Sequence, residues 1–167
     1  ILFQDRLGTV RQRADRLASV AAVVARLTHA DEVEINLARK AGQYAKADLS
    51  TGLVSELASL QGVIGGEYAR RENFAEPVCH AIATHYDLSK NPNPSDERSR
   101  TAVRVLLADQ LDKLVGYLGL GMEPTGSSDP YGLRRAATLC IEAAWSWTEA
   151  FPTYDVLLFA AQEGWKP

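Results

Sequence analysis

The chain has 167 residues, of which 46% are hydrophobic and 23% charged, and it carries a formal net charge of −3 at pH 7. A chain of this length buries about 70% of its unfolded surface, which suffices for one domain with its own core, and the acidic balance disfavours a stand-alone nucleic-acid binder. The two cysteines lie far apart and no apolar run approaches a membrane span, which argues against a disulfide framework, a zinc site and a transmembrane segment.

Helical periodicity dominates the first part of the chain. Apolar residues recur at three-, four- and seven-residue steps at Val10, Leu17, Val20, Val24 and Leu27. This spacing predicts an amphipathic helix of about five turns, with Arg11, Arg13, Arg16 and Arg26 mainly on the opposite side. A second helix is predicted from an N-cap at Asp31 to Asp48.

The middle of the chain predicts several shorter helices. Glycine and serine punctuate residues 49–66, where we expect one helix over 50–58 and another over 60–71. Glycine lowers the stability of a helix interior, so the presence of Gly62, Gly65 and Gly66 needs a reason. The close passage of another helix, which the lack of a side chain permits, would be such a reason. A further helix over 75–86 precedes a polar loop over 87–99 that contains two Asn-Pro pairs.

The apolar pattern is strongest between residues 103 and 118, and Gly119 and Gly121 end it. Another helix is predicted from Asp129 to about Ala150, and a last one over 153–162. No alternating run predicts a strand. The predicted fold is therefore all-α, a single domain over 1–167 with about seven or eight helices around one core. Because the chain begins at Ile1 and not at Met, we expect an excerpt of a longer protein.

Residues 124–135 (PTGSSDPYGLRR) combine a turn, a helix start and two arginines. Gly126 permits a positive φ, Asp129 is a good N-cap and Pro130 suits the first helical position. The helix would present Arg134 and Arg135 on a fixed backbone, where guanidinium groups bind phosphates or carboxylates. The alternative is a capped surface helix with solvated arginines.

Other chemistry finds little support in the sequence. The candidate metal ligands are Asp48, Asp109, Asp112, His80 and His85. Asp109 and Asp112 are three residues apart on one helix, but Lys113 lies beside them and can neutralise one carboxylate. The two histidines diverge by about 140° on a helix. A nucleophile elbow, a phosphate-binding P-loop and a dinucleotide fingerprint are all missing from the sequence.

Four blocks, in order, resemble the β subunit of the bacterial tetrameric glycyl-tRNA synthetase. They are FQDRLGT at 3–9, AKADLSTGLVSE with LQGVIGGEY at 45–68, LADQLDKLVGYLGLG at 107–121 and PTGSSDPYGLRR at 124–135. The resemblance covers about four fifths of the chain. It implies a helical domain similar to the HD superfamily of metal phosphohydrolases, in which the His-Asp pair falls at Ala47 and Asp48 and the later aspartate at Asp109.

The resemblance has further implications. With alanine in place of the histidine, Asp48 and Asp109 are vestigial metal positions, and the segment has no catalytic centre, metal or cofactor of its own. The family enzyme joins glycine to tRNA in the cytoplasm, with ATP and Mg²⁺ used on the partner α subunit. The implied partners are that α subunit and tRNA, with neither DNA nor a membrane. Arg134 and Arg135 are the candidate tRNA-binding residues.

Two departures from the family pattern weaken the expected RNA contact. Ser128 and Gln110 each replace a lysine, so two positive charges are lost. Two alternatives therefore stay open. The domain is an active HD-type metal phosphohydrolase that uses Asp48 and Asp109, or it is a purely structural spacer in which Asp129 only caps and orients the last long helix.

Overall fold

The computed structural model describes residues 2–147 and 151–164, which form eight α-helices and one short β-hairpin. The hairpin pairs β1 (Leu2–Gln4) with β2 (Gly8–Thr9) in antiparallel register. The helices are α1 (Val10–Leu27), α2 (Glu32–Tyr44), α3 (Gly52–Glu56), α4 (Val63–Arg71), α5 (Glu76–Thr84), α6 (Glu97–Gly119), α7 (Leu133–Ser146) and α8 (Thr153–Gly164). Short 3₁₀ turns lie at Ala47–Ser50, Ala58–Leu60 and Leu88–Lys90. The predicted all-α class is confirmed.

A capping box fixes the start of α1. Thr9 caps α1 by accepting a hydrogen bond from the backbone N–H of Gln12, and the Gln12 side chain bonds back to the backbone of Thr9. This reciprocal arrangement satisfies two N–H groups that a helix start leaves unpaired. The predicted apolar stripe is buried, with Leu17 and Val24 fully enclosed.

Helix α6 is the centre of the fold, since α1, α2, α5, α7 and α8 all pack against it. Every residue from Thr101 to Asp112 is buried, on the polar as well as the apolar side of the helix. The sequence predicted an apolar stripe along this helix, and the structure buries the residues outside that stripe as well. Because the surrounding helices cover both faces, the charged residues of α6 lie in the interior and need partners there.

Four predictions about local structure were wrong. The chain has a short hairpin before α1, although no strand was predicted. Helix α2 ends at Tyr44, and a 3₁₀ turn at Ala47–Ser50 replaces its predicted last turn. Helix α7 begins at Leu133, after Gly132 in the left-handed conformation, so Pro130 lies outside the helix. Arg13 was expected on the solvent side and is buried. The predicted end of α7 near Ala150 lies outside the described residues.

The crossing of α1 and α2 depends on a glycine. A Cβ added at Gly42 would lie 2.7 Å from the backbone oxygen of Leu17 and 2.9 Å from its carbonyl carbon. Backbone atoms cannot swing aside, so the two helices would have to separate. We expect Gly42→Ala to lower the free energy of unfolding by about 2 kcal/mol or more, measured by urea denaturation.

A matched exchange elsewhere controls for the effect of glycine on the unfolded chain. Nothing lies within 4 Å of a Cβ added at Gly52, in the first turn of α3. Gly52→Ala should therefore leave stability unchanged or raise it slightly. Equal losses in both variants would contradict the packing explanation.

None of the described helices combines the length and the apolar character that crossing a membrane requires.

Candidate functional site

A cavity of about 770 Å³ opens beside the middle of α6. Its floor is polar, its walls carry aromatic rings, and the segment before α7 forms one rim. The lining residues are Phe3, Arg13, Lys46, Leu49, Gln61, Tyr86, Asp109, Gln110, Lys113, Tyr117, Asp129, Pro130, Tyr131, Gly132, Arg135 and Leu139. The cavity thus joins the predicted vestigial position Asp109 to the turn-and-arginine segment, which lies more than 10 residues further along the chain.

An ion cluster forms the floor, with Asp109 at its centre. One carboxylate oxygen of Asp109 accepts a hydrogen bond from Nη2 of Arg13 at 2.7 Å, and the other accepts one from Nζ of Lys46 at 2.8 Å. All three side chains are at most 10% exposed. Burial alone would raise the pKa of Asp109, but the charges of Lys46 and Arg13 hold that pKa well below its usual range.

Lys46 also bonds to His85, which is fully buried. Nζ of Lys46 lies 2.9 Å from Nε2 of His85, while Nδ1 of His85 lies 3.0 Å from the carbonyl oxygen of Ile82. Because Nδ1 donates to a carbonyl, Nε2 accepts from the ammonium and the imidazole is neutral. Burial and the charge of Lys46 lower the pKa of His85 to about 3, and burial lowers the pKa of Lys46 to about 8.

Asp112 has its own partners. It pairs with Arg13 at 3.3 Å from Nε, and Arg16 donates from Nε at 2.5 Å and from Nη2 at 3.3 Å. The expectation that Lys113 neutralises one of the two α6 carboxylates was wrong, since α1 supplies both arginines. One signal in the sequence pointed to this pairing: Arg13 and Arg16 repeat the three-residue spacing of Asp109 and Asp112.

Asp48 does not share the Asp109 cluster. The 3₁₀ turn buries its side chain, and one oxygen accepts a hydrogen bond from the backbone N–H of Gly62 at 2.6 Å. The other oxygen has no hydrogen-bond partner among the described residues. Gly65 packs directly on Asp48, because a Cβ there would lie 3.2 Å from the carboxyl carbon. The same Cβ would lie 3.0 Å from Cγ2 of Ile82 on α5, so the predicted close passage of another helix is confirmed for this glycine.

The remaining histidine candidate lies apart from His85. Nε2 of His80 contacts the side-chain oxygen of Asn91 at 2.9 Å. In the described ranges, no three His, Cys, Asp or Glu side chains converge in a way that suits a metal ion. The position between His85 and Asp109 is taken by the ammonium of Lys46. These residues do not fit a divalent metal.

The segment before α7 is held by hydrogen bonds within itself. The two oxygens of Asp129 accept from the backbone N–H groups of Leu133 at 2.8 Å and Arg134 at 2.9 Å. Asp129 therefore satisfies two N–H groups at the start of α7, but the predicted N-cap position was wrong, since Gly132 is the N-cap residue. Nη2 of Arg134 donates to the carbonyl oxygen of Gly126 at 2.6 Å, where the backbone has a positive φ.

Arg134 and Arg135 thus differ in role. Arg134 is tied to the turn, whereas Arg135 is exposed and lines the cavity. Within residues 2–147 and 151–164, neither Arg135 nor Lys113 has a hydrogen-bonding or ion-pairing partner. The two cations line the same cavity, where Tyr131 stacks on Tyr117 with ring centroids 4.6 Å apart.

Comparison with known proteins places these observations in a family. A family profile described as glycyl-tRNA synthetase beta subunit matches residues 1–163. The glycine–tRNA ligase beta subunit of Acaryochloris marina is 40% identical over 146 residues, which cover 87% of this chain and 20% of that protein. The corresponding subunit of Rhodospirillum centenum is 41% identical over 139 residues, which cover 82% of this chain and 19% of that protein. The chain thus spans about a fifth of the length of these relatives.

Proposed function

The chain belongs to the family of glycyl-tRNA synthetase beta subunits, and we propose that it serves in glycine–tRNA ligase as an HD-like helical part. In this proposal it supports the architecture of the subunit and contacts tRNA, while glycine activation with ATP and Mg²⁺ takes place on the α subunit. The enzyme works in the cytoplasm, and the partners of this part are the α subunit and tRNA.

The absence of a catalytic centre in this part is supported by the ion cluster. Asp109 is saturated by Arg13 and Lys46, and Asp112 by Arg13 and Arg16. The phosphohydrolase alternative, which uses Asp48 and Asp109, would need the Asp109 carboxylate for a metal that activates water. Stoichiometric manganese, iron or zinc in the purified ligase, lost on Asp109→Asn under conditions where urea denaturation shows the variant to be folded, would revive the phosphohydrolase alternative.

The tRNA contact rests on one observation. Arg135 projects from a capped helix start with no partner among the described residues, while Arg134 fixes the turn beside it. A free guanidinium on a rigid backbone suits a phosphate, because both charge and donor geometry are in place before binding. We therefore assign the phosphate contact to Arg135 and a supporting role to Arg134.

Charging kinetics of the whole ligase test this assignment. Arg135→Ala should raise the KM for tRNA several-fold with little change in kcat. The slope of the logarithm of the binding constant against the logarithm of the salt concentration should also become shallower, by about the amount that one phosphate contact contributes. The control is Arg11→Ala, which removes an exposed arginine that pairs with Asp15 at 3.5 Å.

The structural-spacer alternative predicts a different pattern. An unchanged KM in Arg135→Ala, together with a loss of about 1 kcal/mol in Asp129→Ala, would assign the segment to helix capping alone. The Arg134→Ala variant removes the bond to Gly126, which is a structural contact. It therefore tests the stability of the turn under both alternatives.

A further inference from the structure

The cavity beside α6 has an excess of positive charge that the ion cluster does not use. Four cationic side chains line it, at Arg13, Lys46, Lys113 and Arg135, against two carboxylates, at Asp109 and Asp129. Both carboxylates are already occupied. Asp109 accepts from Arg13 and Lys46, and Asp129 accepts from two backbone N–H groups.

Lys113 and Arg135 are the cations that remain. Lys113 is half-buried, and burial lowers the pKa of its ammonium. The carboxylates of Asp109 and Asp129 raise that pKa and the charges of Arg13 and Arg135 lower it, and each carboxylate acts more strongly than the matching cation. Lys113 and Arg135 line the same cavity, and within residues 2–147 and 151–164 neither of them has a direct hydrogen bond or salt bridge to a carboxylate. An anion with two negative charges would pair with both cations.

The walls add a second preference. Tyr86 lines one side, its hydroxyl accepting a hydrogen bond from Gln61 at 2.7 Å, and Tyr131 lines the other side, stacked on Tyr117. Aromatic faces of this kind accept a nucleobase or a ribose. The volume of about 770 Å³ lies within the range of about 300–1,000 Å³ that small-molecule sites occupy.

We propose that this cavity binds the phosphate monoester of a nucleotide, with Lys113 and Arg135 on the phosphate and Tyr86 and Tyr131 beside the nucleoside. A phosphate monoester, unlike the diester of an RNA backbone, carries close to two negative charges at pH 7. Its source is a free nucleoside monophosphate or the 5′-phosphate end of an RNA strand. The inference goes beyond backbone contact and shares only Arg135 with the proposed function.

Equilibrium binding to the complete ligase tests the inference. Cytidine 5′-monophosphate is a suitable probe, because an ATP-dependent ligase binds adenylates elsewhere. It should bind at least tenfold more tightly than cytidine, and Lys113→Gln should abolish that preference while Lys113→Arg preserves it. Lys40→Gln is the control, since Lys40 lies over the Phe74 ring, away from the cavity lining.

A second pair of probes identifies the source of the phosphate. If a short RNA with a 5′-phosphate binds more tightly than the same RNA with a 5′-hydroxyl, and cytidine 5′-monophosphate shows no preference, the ligand is an RNA end. If the free nucleotide binds, the ligand is a small molecule. No preference for the phosphorylated member of either pair, or a preference that survives in Lys113→Gln, overturns the inference.

The two proposals fail separately. Loss of nucleotide binding in Lys113→Gln alongside an unchanged KM for tRNA in Arg135→Ala would leave the phosphate cavity standing and remove the backbone contact. A raised KM for tRNA in Arg135→Ala, without any discrimination between the phosphorylated and unphosphorylated probes, would leave the backbone contact standing and remove the phosphate cavity.

Discussion

Asp109→Asn is expected to lower the free energy of unfolding by about 3–5 kcal/mol, one of the largest effects of a single substitution in this chain. The carboxylate is the shared partner of Arg13 and Lys46, whose side chains are 10% and 3% exposed. Asparagine keeps the shape but removes the charge, and its amide must turn an N–H towards one of the two cations. Two buried positive charges are then left without full compensation. Urea denaturation at pH 7 measures the loss.

The control for this prediction is Asp15→Asn. Asp15 pairs with Arg11 at 3.5 Å with side chains that are 55% and 79% exposed, so its removal should cost only a few tenths of a kcal/mol. Adding Lys46→Met to Asp109→Asn removes both charges of one pair. The double variant should therefore lose at least about 1 kcal/mol less than the sum of the two single losses. Additive losses would show that the cost of Asp109→Asn does not come from its pairing with Lys46.

The ion cluster around Asp109 shows which parts of the fold could be predicted from the sequence and which could not. The positions of α1 and α6 were largely predictable, because apolar residues repeat at helical spacing and Gly119 marks the end of α6, although α6 begins at Glu97, inside the loop predicted over 87–99. The burial of charged residues on α6 was not predictable, because the periodicity of a sequence describes a single helix. It cannot show that neighbouring helices cover both faces of that helix. Arg104, for example, is 1% exposed and lies 3.5 Å from a carboxylate oxygen of Glu34.

The part of the candidate site that lies in recognisable motifs was predictable, and the part that depends on contacts between distant segments was not. Motif comparison picked out Asp48, Asp109 and the segment 124–135, and the structure brings Asp109 and that segment to one cavity. It places Asp48 on a separate contact with Gly62. Lys46 was overlooked because a lysine beside a helix end normally lies in solvent. Its role depends on His85 and Asp109, which are 39 and 63 residues away in the chain.

The pH dependence of stability gives the second large effect. His85 is fully buried, neutral and bonded to the ammonium of Lys46 through Nε2. The charged groups that act on it are Lys46 and Asp109, and the Tyr86 ring lies 3.9 Å from the imidazole by centroids. Protonation of Nε2 would set two positive charges against each other. Burial and Lys46 therefore lower the pKa of His85 from 6.5 to about 3.

The direction of the effect follows from proton binding. Between about pH 3 and 6.5 the unfolded chain holds a proton on His85 that the folded chain does not, so unfolding takes up a proton. Stability then falls as the pH falls through this window. Between pH 6.5 and 4.5, where most carboxylates are still ionised, the contribution of His85 to the loss is about 2 kcal/mol.

Urea denaturation of the His85→Gln variant at a series of pH values checks this contribution. Glutamine retains an acceptor for Lys46 but does not titrate, so the loss of stability between pH 6.5 and 4.5 should shrink by about 2 kcal/mol relative to the unsubstituted chain. The control is His29→Asn, at an exposed position with a φ of 57° that asparagine tolerates. This substitution leaves the contacts among His85, Lys46 and Asp109 in place, so it shows what replacing a histidine outside that cluster does to the pH dependence. If His85→Gln keeps the pH dependence of the parent, the acid sensitivity belongs to the carboxylates, and the neutral imidazole beside Lys46 is not its source.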